Sequence, residues 1–243
     1  MAADSDRWSI LTAPMYEPTE VARLVRMSVS RVRRWLRGYE YTTPTTRQRK
    51  RQGPVVRHDE AGSPYASFLD LIELRFARAF VIDAQLSPQR VRKAFAEARA
   101  VTGLDHPFAR RRFFTAGDNI YMEVQEKGAI DEAEHLLQLL SGGQWVIAPV
   151  VLQYAEQVEF DSESDAVIKW WPLGRQEPVV ITPTVAFGEA TIQGRGVKTS
   201  TLYNLFRAEG DDAGRVAKWM DLSAAEVESA VRFEKHRLMR LAA

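Results

Sequence analysis

The segment from Tyr16 to Tyr39, YEPTEVARLVRMSVSRVRRWLRGY, limits what this chain can fold into more than any other. It reads as two short helices joined by a tight turn. Pro18 suits the first turn of a helix, where a missing N–H costs nothing. Val21, Ala22, Leu24 and Val25 give that helix an apolar stripe. The turn falls at Arg26-Met27, and Ser28 is placed to cap the second helix. At 100° per residue Val29, Val32, Trp35 and Leu36 share one sector, while Ser30, Arg31, Arg33, Arg34 and Arg37 take the rest of the wheel. One face is core; the other offers four guanidiniums and a hydroxyl. A recognition helix in a DNA major groove needs that combination: arginines that fork onto guanine or phosphate, and a small residue near the N-terminus for close approach.

The residues that follow extend the basic surface. Thr42 to Thr46 form a polar loop; Arg47, Arg49, Lys50 and Arg51 make a basic hairpin tip; Val55-Val56 is expected to be a short strand, and Arg57 adds another cation. From Glu17 to Glu60 there are eleven Lys and Arg against five acids, a local balance of +6 in a chain whose total is +1. Such asymmetry is the footprint of a polyanionic partner. The expected DNA contacts are Ser30, Arg31, Arg33, Arg34, Arg37, Arg47, Arg49, Lys50, Arg51 and Arg57.

The rest of the chain has a different character. Residues 1–15 are expected to be a loose arm with Trp8, Ile10 and Leu11 able to tuck inward. An apolar helix runs from Ala66 to about Asp83. Ser87-Pro88 caps and opens the next, Gln89 to Val101, with Arg90, Arg92 and Lys93 outward. Phe113-Phe114 and Ile120 to Val124 read as short strands around a Gly117-Asp118-Asn119 turn, and Ala129 to Leu140 as an amphipathic helix. Between Gly117 and Asp165 eleven acids face one base, Lys127. That balance of −10 repels DNA, so this part should face away from nucleic acid or toward a basic partner. From Ala166 to Ile192 the chain is apolar and broken by turns. Trp170, Trp171 and Arg175 are the candidates for a partner-docking strip, tryptophan being a favoured interface anchor. The last part is helical again: Thr199 to Ala208, a helix capped by Asp211 or Asp212, and Ala224 to Arg240. Its nine bases and eight acids from Glu189 onward suit a protein-binding module more than a DNA reader.

The expected fold is mainly α with small β elements (α+β). The expected units are residues 1–104, an acidic mixed middle over 105–182, and a three-helix unit over 183–243. No apolar run approaches the roughly 20 residues that span a bilayer. The acidic start is not a secretory signal. There is no cysteine, so disulfides and thiolate metal sites are excluded and a reducing cytoplasm is the expected setting. His58, His106, His135 and His236 show no ligand spacing, and no cofactor or metal is expected. No nucleophile elbow, P-loop or paired catalytic carboxylate motif stands in the sequence, so an enzyme is not expected.

Two resemblances accompany these residues. Met27-Ser28, Val32-Arg33, Trp35, Gly38-Tyr39 and Pro44 resemble the MerR-type winged helix-turn-helix. That resemblance implies that Arg33 binds backbone phosphate, that Trp35 packs the helix pair, and that residues 47–51 form the wing. The cysteine metal sites of MerR proteins are missing. The C-terminal stretch resembles the three-helix family DUF433, seen in VapB-type antitoxins, through Pro183, Phe187-Gly188, Ile192, Gly194 to Val197, Thr199, Leu202, Gly210, Val216-Ala217, Leu222-Ser223, Val227 and Ala230. The family's Gly-Thr-Arg step reads Gly194-Arg195-Gly196 here. The resemblance implies a type II antitoxin that represses its own operon and silences a PIN-domain ribonuclease toxin. A homodimer bound to operator DNA is the expected form. The alternative is a stand-alone MerR-like regulator sensing a ligand through residues 105–190.

Overall fold

The computed structural model describes residues 2–57, 63–110, 154 and 156–239. The strands, turn and helix expected between 113 and 140 lie outside the described residues. The architecture is α+β with two small antiparallel sheets, as the sequence led us to expect.

Residues Ala2–Thr12 form a helix, α1, rather than a loose arm; Leu11 is buried and Trp8 packs against the core. Then α2 (Pro18–Val25) opens with Pro18 in its first turn and ends on Arg26, whose φ of 57° turns the chain. Met27 is buried, and Ser28 caps α3 (Val29–Arg37) by accepting a hydrogen bond from Arg31 N. Val32, Trp35 and Leu36 are the buried face of α3.

Behind α3 a hairpin starts at once: β1 (Tyr39–Thr42) pairs antiparallel with β2 (Arg49–Gln52). The step between them is made at Gly38, with φ 72°, where a Cβ would stand 2.3 Å from the Gln52 carbonyl oxygen. Only glycine lets helix and hairpin approach this closely. The expected Val55-Val56 strand does not form. Both side chains are buried, and both backbone N–H groups donate to Trp35 O, at 2.8 and 3.3 Å, closing the hairpin back onto α3.

The centre of this half is α4 (Phe68–Arg78), buried on nearly every side, with Asp70 and Glu73 among its buried residues. Ser67 and Asp70 form a reciprocal capping box at its start. After a π-helical turn over Ala79–Asp83, α5 (Pro88–Thr102) runs from the Ser87 cap to Gly103. Phe76, Phe80, Phe95, Phe108 and Tyr154 stack around one another beneath it, at centroid distances of 4.3–6.2 Å.

The second sheet has the order β3 (Val158–Phe160), β4 (Val167–Trp170), β5 (Val179–Ile181), β6 (Ala190–Ile192), antiparallel throughout. Three helices follow: α6 (Thr199–Ala208), α7 (Ala213–Met220) and α8 (Ala224–Leu238). The expected boundary at 182/183 falls between the paired strands β5 and β6. A single apolar core continues from Leu11 to Phe233. The Tyr16 hydroxyl crosses from the first half to the second and donates to Gly188 O at 3.0 Å.

Three carboxylates brace the second half. Backbone and hydroxyl hydrogen bonds from Ser164 hold Asp161 well below the usual carboxylate range, helped by Arg7. The Ser229 hydroxyl and then Arg232 do the same for Glu177, tying α8 to the turn before β5. The Ser223 backbone N–H, within the α8 capping box, lowers Glu226. All three are easier to ionise folded than unfolded. The stability they add is therefore complete above about pH 5 and is lost as pH falls through their folded values. Thermal melts of Glu177→Gln should show a deficit against wild type at pH 7 that shrinks toward pH 3.

Candidate nucleic-acid interface

Because α3 buries one face, its exposed residues Ser30, Arg33, Arg34 and Arg37 stand on the other at helical spacings of three and four. The hairpin beside them is solvent-exposed along almost its whole length and carries Arg47, Arg49, Lys50 and Arg51. Thr43 N donates to Gln48 O and Arg47 N to Thr43 O, at 3.0 and 2.9 Å, so the tip is a closed turn.

Helix and hairpin meet in a cleft of about 670 Å³ lined by Arg33, Arg34, Arg37, Tyr39 and Arg51, with Glu17 and Glu40 as its acids. Four guanidiniums thus converge on one concavity instead of spreading around the molecule. The Tyr39 ring carries the Arg34 guanidinium at 5.2 Å and one further cation, Arg92 of α5, at 5.7 Å. Stacking of this kind holds an arginine plane in a fixed orientation. Among the described residues Arg33, Arg37, Arg47, Arg49 and Lys50 make no ion pair within the chain. Their charge faces water and is open to a polyanion.

Two of the expected contacts are placed differently. Arg31 is half-buried at the base of α3. Arg57 turns inward: its Nε and Nη2 both donate to Asp70 Oδ2, at 3.0 and 2.7 Å, and it also bonds the Ser63 and Tyr65 carbonyls. A guanidinium committed to a buried carboxylate and two backbone carbonyls cannot reach phosphate. Asp70→Ala would strand that cation and remove half of the α4 capping box. We expect a loss of about 3 kcal/mol in denaturant unfolding.

The sequence assigned α5 no supporting role, yet its arginines brace the hairpin's base. Arg92, expected outward, donates to Gly53 O, and Arg99 donates to Val55 O, each at 2.5 Å. Burial lowers the pKa of Arg92, opposed by Tyr39. Arg99 also stands 3.8 Å from Glu73, which is fully buried, accepts from Phe108 N and lies 3.7 Å from His106. The Ser87-Pro88 start of α5 was readable; that Arg92 and Arg99 face the hairpin depends on packing between distant segments.

The expected docking strip is not a surface. Trp170 is 1% exposed and Trp171 3%. The Arg75 guanidinium covers the Trp170 ring at 4.8 Å, and the Trp171 indole N–H donates to Gln193. Arg175 is exposed, but its guanidinium stacks on Trp171 at 4.6 Å and bonds the Glu156 and Val158 carbonyls. These residues hold the four-stranded sheet together: adjacent tryptophans on a strand normally point to opposite faces, and here both faces are covered.

Among the described residues no helix is long and apolar enough to cross a membrane.

Residues 179–233 match the family model described as a protein of unknown function, DUF433. The match begins at β5, where the sheet hairpin leads into the three helices. The chain is 27% identical over its full length to an uncharacterized protein of Mycobacterium tuberculosis, Rv2308, all of which is covered. It is 23% identical, over 88% of this chain and 94% of the relative, to a protein of the same organism provisionally named antitoxin VapB45. The crystal structure of Rv2018 from Mycobacterium tuberculosis shares the fold, with a TM-score of 0.62 at 19% identity, covering 91% of this chain and 98% of that one. Over 91% of its length the chain follows the fold of that crystal structure.

Proposed function

We propose that this protein is the DNA-binding antitoxin of a toxin–antitoxin pair. Its N-terminal helix-turn-helix and basic hairpin work as a MerR-like winged helix on operator DNA, and the protein represses its own operon. The remainder neutralises a PIN-domain ribonuclease toxin in the cytoplasm. It acts by binding rather than by catalysis, as a homodimer that sets two recognition helices on half-sites about 34 Å apart, or a multiple of that.

The observation that carries the reading is the convergence of Arg33, Arg34, Arg37 and Arg51 on one cleft beside an exposed hairpin bearing Arg47, Arg49 and Lys50. A surface of exposed cations next to a helix that shows a small residue at its start is what duplex DNA requires. Similarity to a provisionally named VapB antitoxin supports the toxin half of the reading.

Gel shifts test the first half. A duplex from upstream of the protein's own gene should be bound at least about 10³-fold more tightly than an unrelated duplex of equal length at physiological salt. Equal affinity for both would end the autorepressor reading. Co-purification with the product of the neighbouring gene tests the second half; a ribonuclease that does not bind this chain would end it.

A further inference from the structure

The cations of the cleft and hairpin lie toward one end of α3. Arg33, Arg34 and Arg37 occupy its second half, and the hairpin that follows adds Arg47, Arg49, Lys50 and Arg51. The start of the helix shows Ser28 and Ser30 to water and keeps Arg31 half-buried. With nine residues, α3 is about 14 Å long. In a major groove about 12 Å wide, a phosphate strand borders each end of such a helix. The arginine cleft matches one strand. The strand beside the helix start needs cations from elsewhere.

They stand where the last turn of α8 meets the α2–α3 turn. Arg26, two residues before the Ser28 cap, donates through Nη1 to His236 O at 2.8 Å, in a contact open to solvent. The bond satisfies a carbonyl left over at the end of a helix, and α8 packs against α2 behind it. The His236 side chain is exposed.

The field at this seam is positive. Arg26 from the turn and Arg78 from α4 both face the His236 imidazole. Asp83 neutralises Arg78, at 2.6 Å. On α8 itself Arg232 is held by Glu177 and Arg237 by Glu234, each at 2.7 Å, and Lys235 is exposed. Among the described residues Arg26 pairs with no acid. Burial lowers the His236 pKa, and Arg26 and Arg78 lower it further. A field that expels a proton attracts an anion.

We infer that Arg26 and His236 form a second phosphate site, which takes the duplex strand at the start of α3, opposite the strand taken by the hairpin. The C-terminal helix thereby joins the DNA surface. This site presupposes the winged-helix reading.

The test is fluorescence anisotropy of the full chain with the upstream duplex. Arg26→Gln should weaken all duplexes alike and reduce the salt slope by about 1, and Arg26→Lys should restore the slope. A phosphate beside the imidazole favours its proton. Between about pH 8 and pH 6, wild-type affinity should therefore rise roughly fivefold more than that of His236→Gln. His236 is exposed, so that variant should melt with wild type. Lys218→Gln, on the exposed side of α7, is the control for net charge and should leave the slope alone. A wild-type slope for Arg26→Gln, or equal pH dependence for His236→Gln, would overturn the second site. The cleft reading would stand if Arg33→Ala still weakened binding. The same loss in Lys218→Gln would assign the effect to net charge and overturn the site as well. A wild-type chain that binds no duplex would overturn both.

Discussion

Replacing Arg33 and Arg34 together with alanine should weaken duplex binding by roughly a hundredfold, at about 1–2 kcal/mol for each charged contact. Both side chains are exposed and line the same cleft. Exposed substitutions away from packed features seldom change stability by more than about 0.5 kcal/mol, so the melting temperature should hold. The two losses should differ in kind. Arg33 is assigned to phosphate, and removing it should lower affinity for all duplexes alike and reduce the salt slope by about 1. Arg34, stacked on Tyr39, is oriented for a more specific contact, and its removal should also narrow the gap between operator and unrelated DNA. Fluorescence anisotropy with each single variant and the double separates these effects.

Trp170→Ala should be the most damaging single change to the fold, costing about 3–5 kcal/mol in denaturant unfolding. For a chain of this size that is a fall of roughly 6–20 °C in melting temperature. Trp170 is almost completely buried, pairs through β4 with Ile181 of β5, and carries the Arg75 guanidinium on its ring. Arg75 would then keep Tyr154, at 4.4 Å, as its aromatic neighbour. A tryptophan that served as a docking anchor would give the opposite pattern: normal stability and lost partner binding. Circular dichroism melts and a toxin-binding assay on the same variant distinguish the two.

The elements that were legible in the sequence carry their own local chemistry. Pro18 and Ser28 bracket the helix pair, Ser87-Pro88 opens α5, and Ser223 with Glu226 caps α8; each signal acts within four residues of itself. The arginine face of α3 followed from helical periodicity alone. What was not legible depends on long-range packing. Arg57 looks like every other basic residue near the hairpin until Asp70, thirteen residues on, takes its guanidinium. Trp170 and Trp171 are compatible with a docking strip until a sheet closes over them. Residues 1–15, with apolar side chains but no clean stripe, gave no sign of the helix that α4 stabilises by packing. His236 reads as an ordinary histidine until the end of α8 comes to rest against Arg26, 210 residues away.

The first quarter of the chain is expected to take up DNA phosphates on its cationic surface. The most direct test is the salt dependence of wild-type binding to the upstream duplex, plotted as log K against log salt. If Arg33, Arg37, Arg47, Arg49, Lys50 and Arg51 each neutralise one phosphate, the slope is about −5 per bound subunit, from roughly −0.9 for each. A slope shallower than about −2, or one that stays the same when the hairpin's four cations are replaced by glutamine, would contradict it.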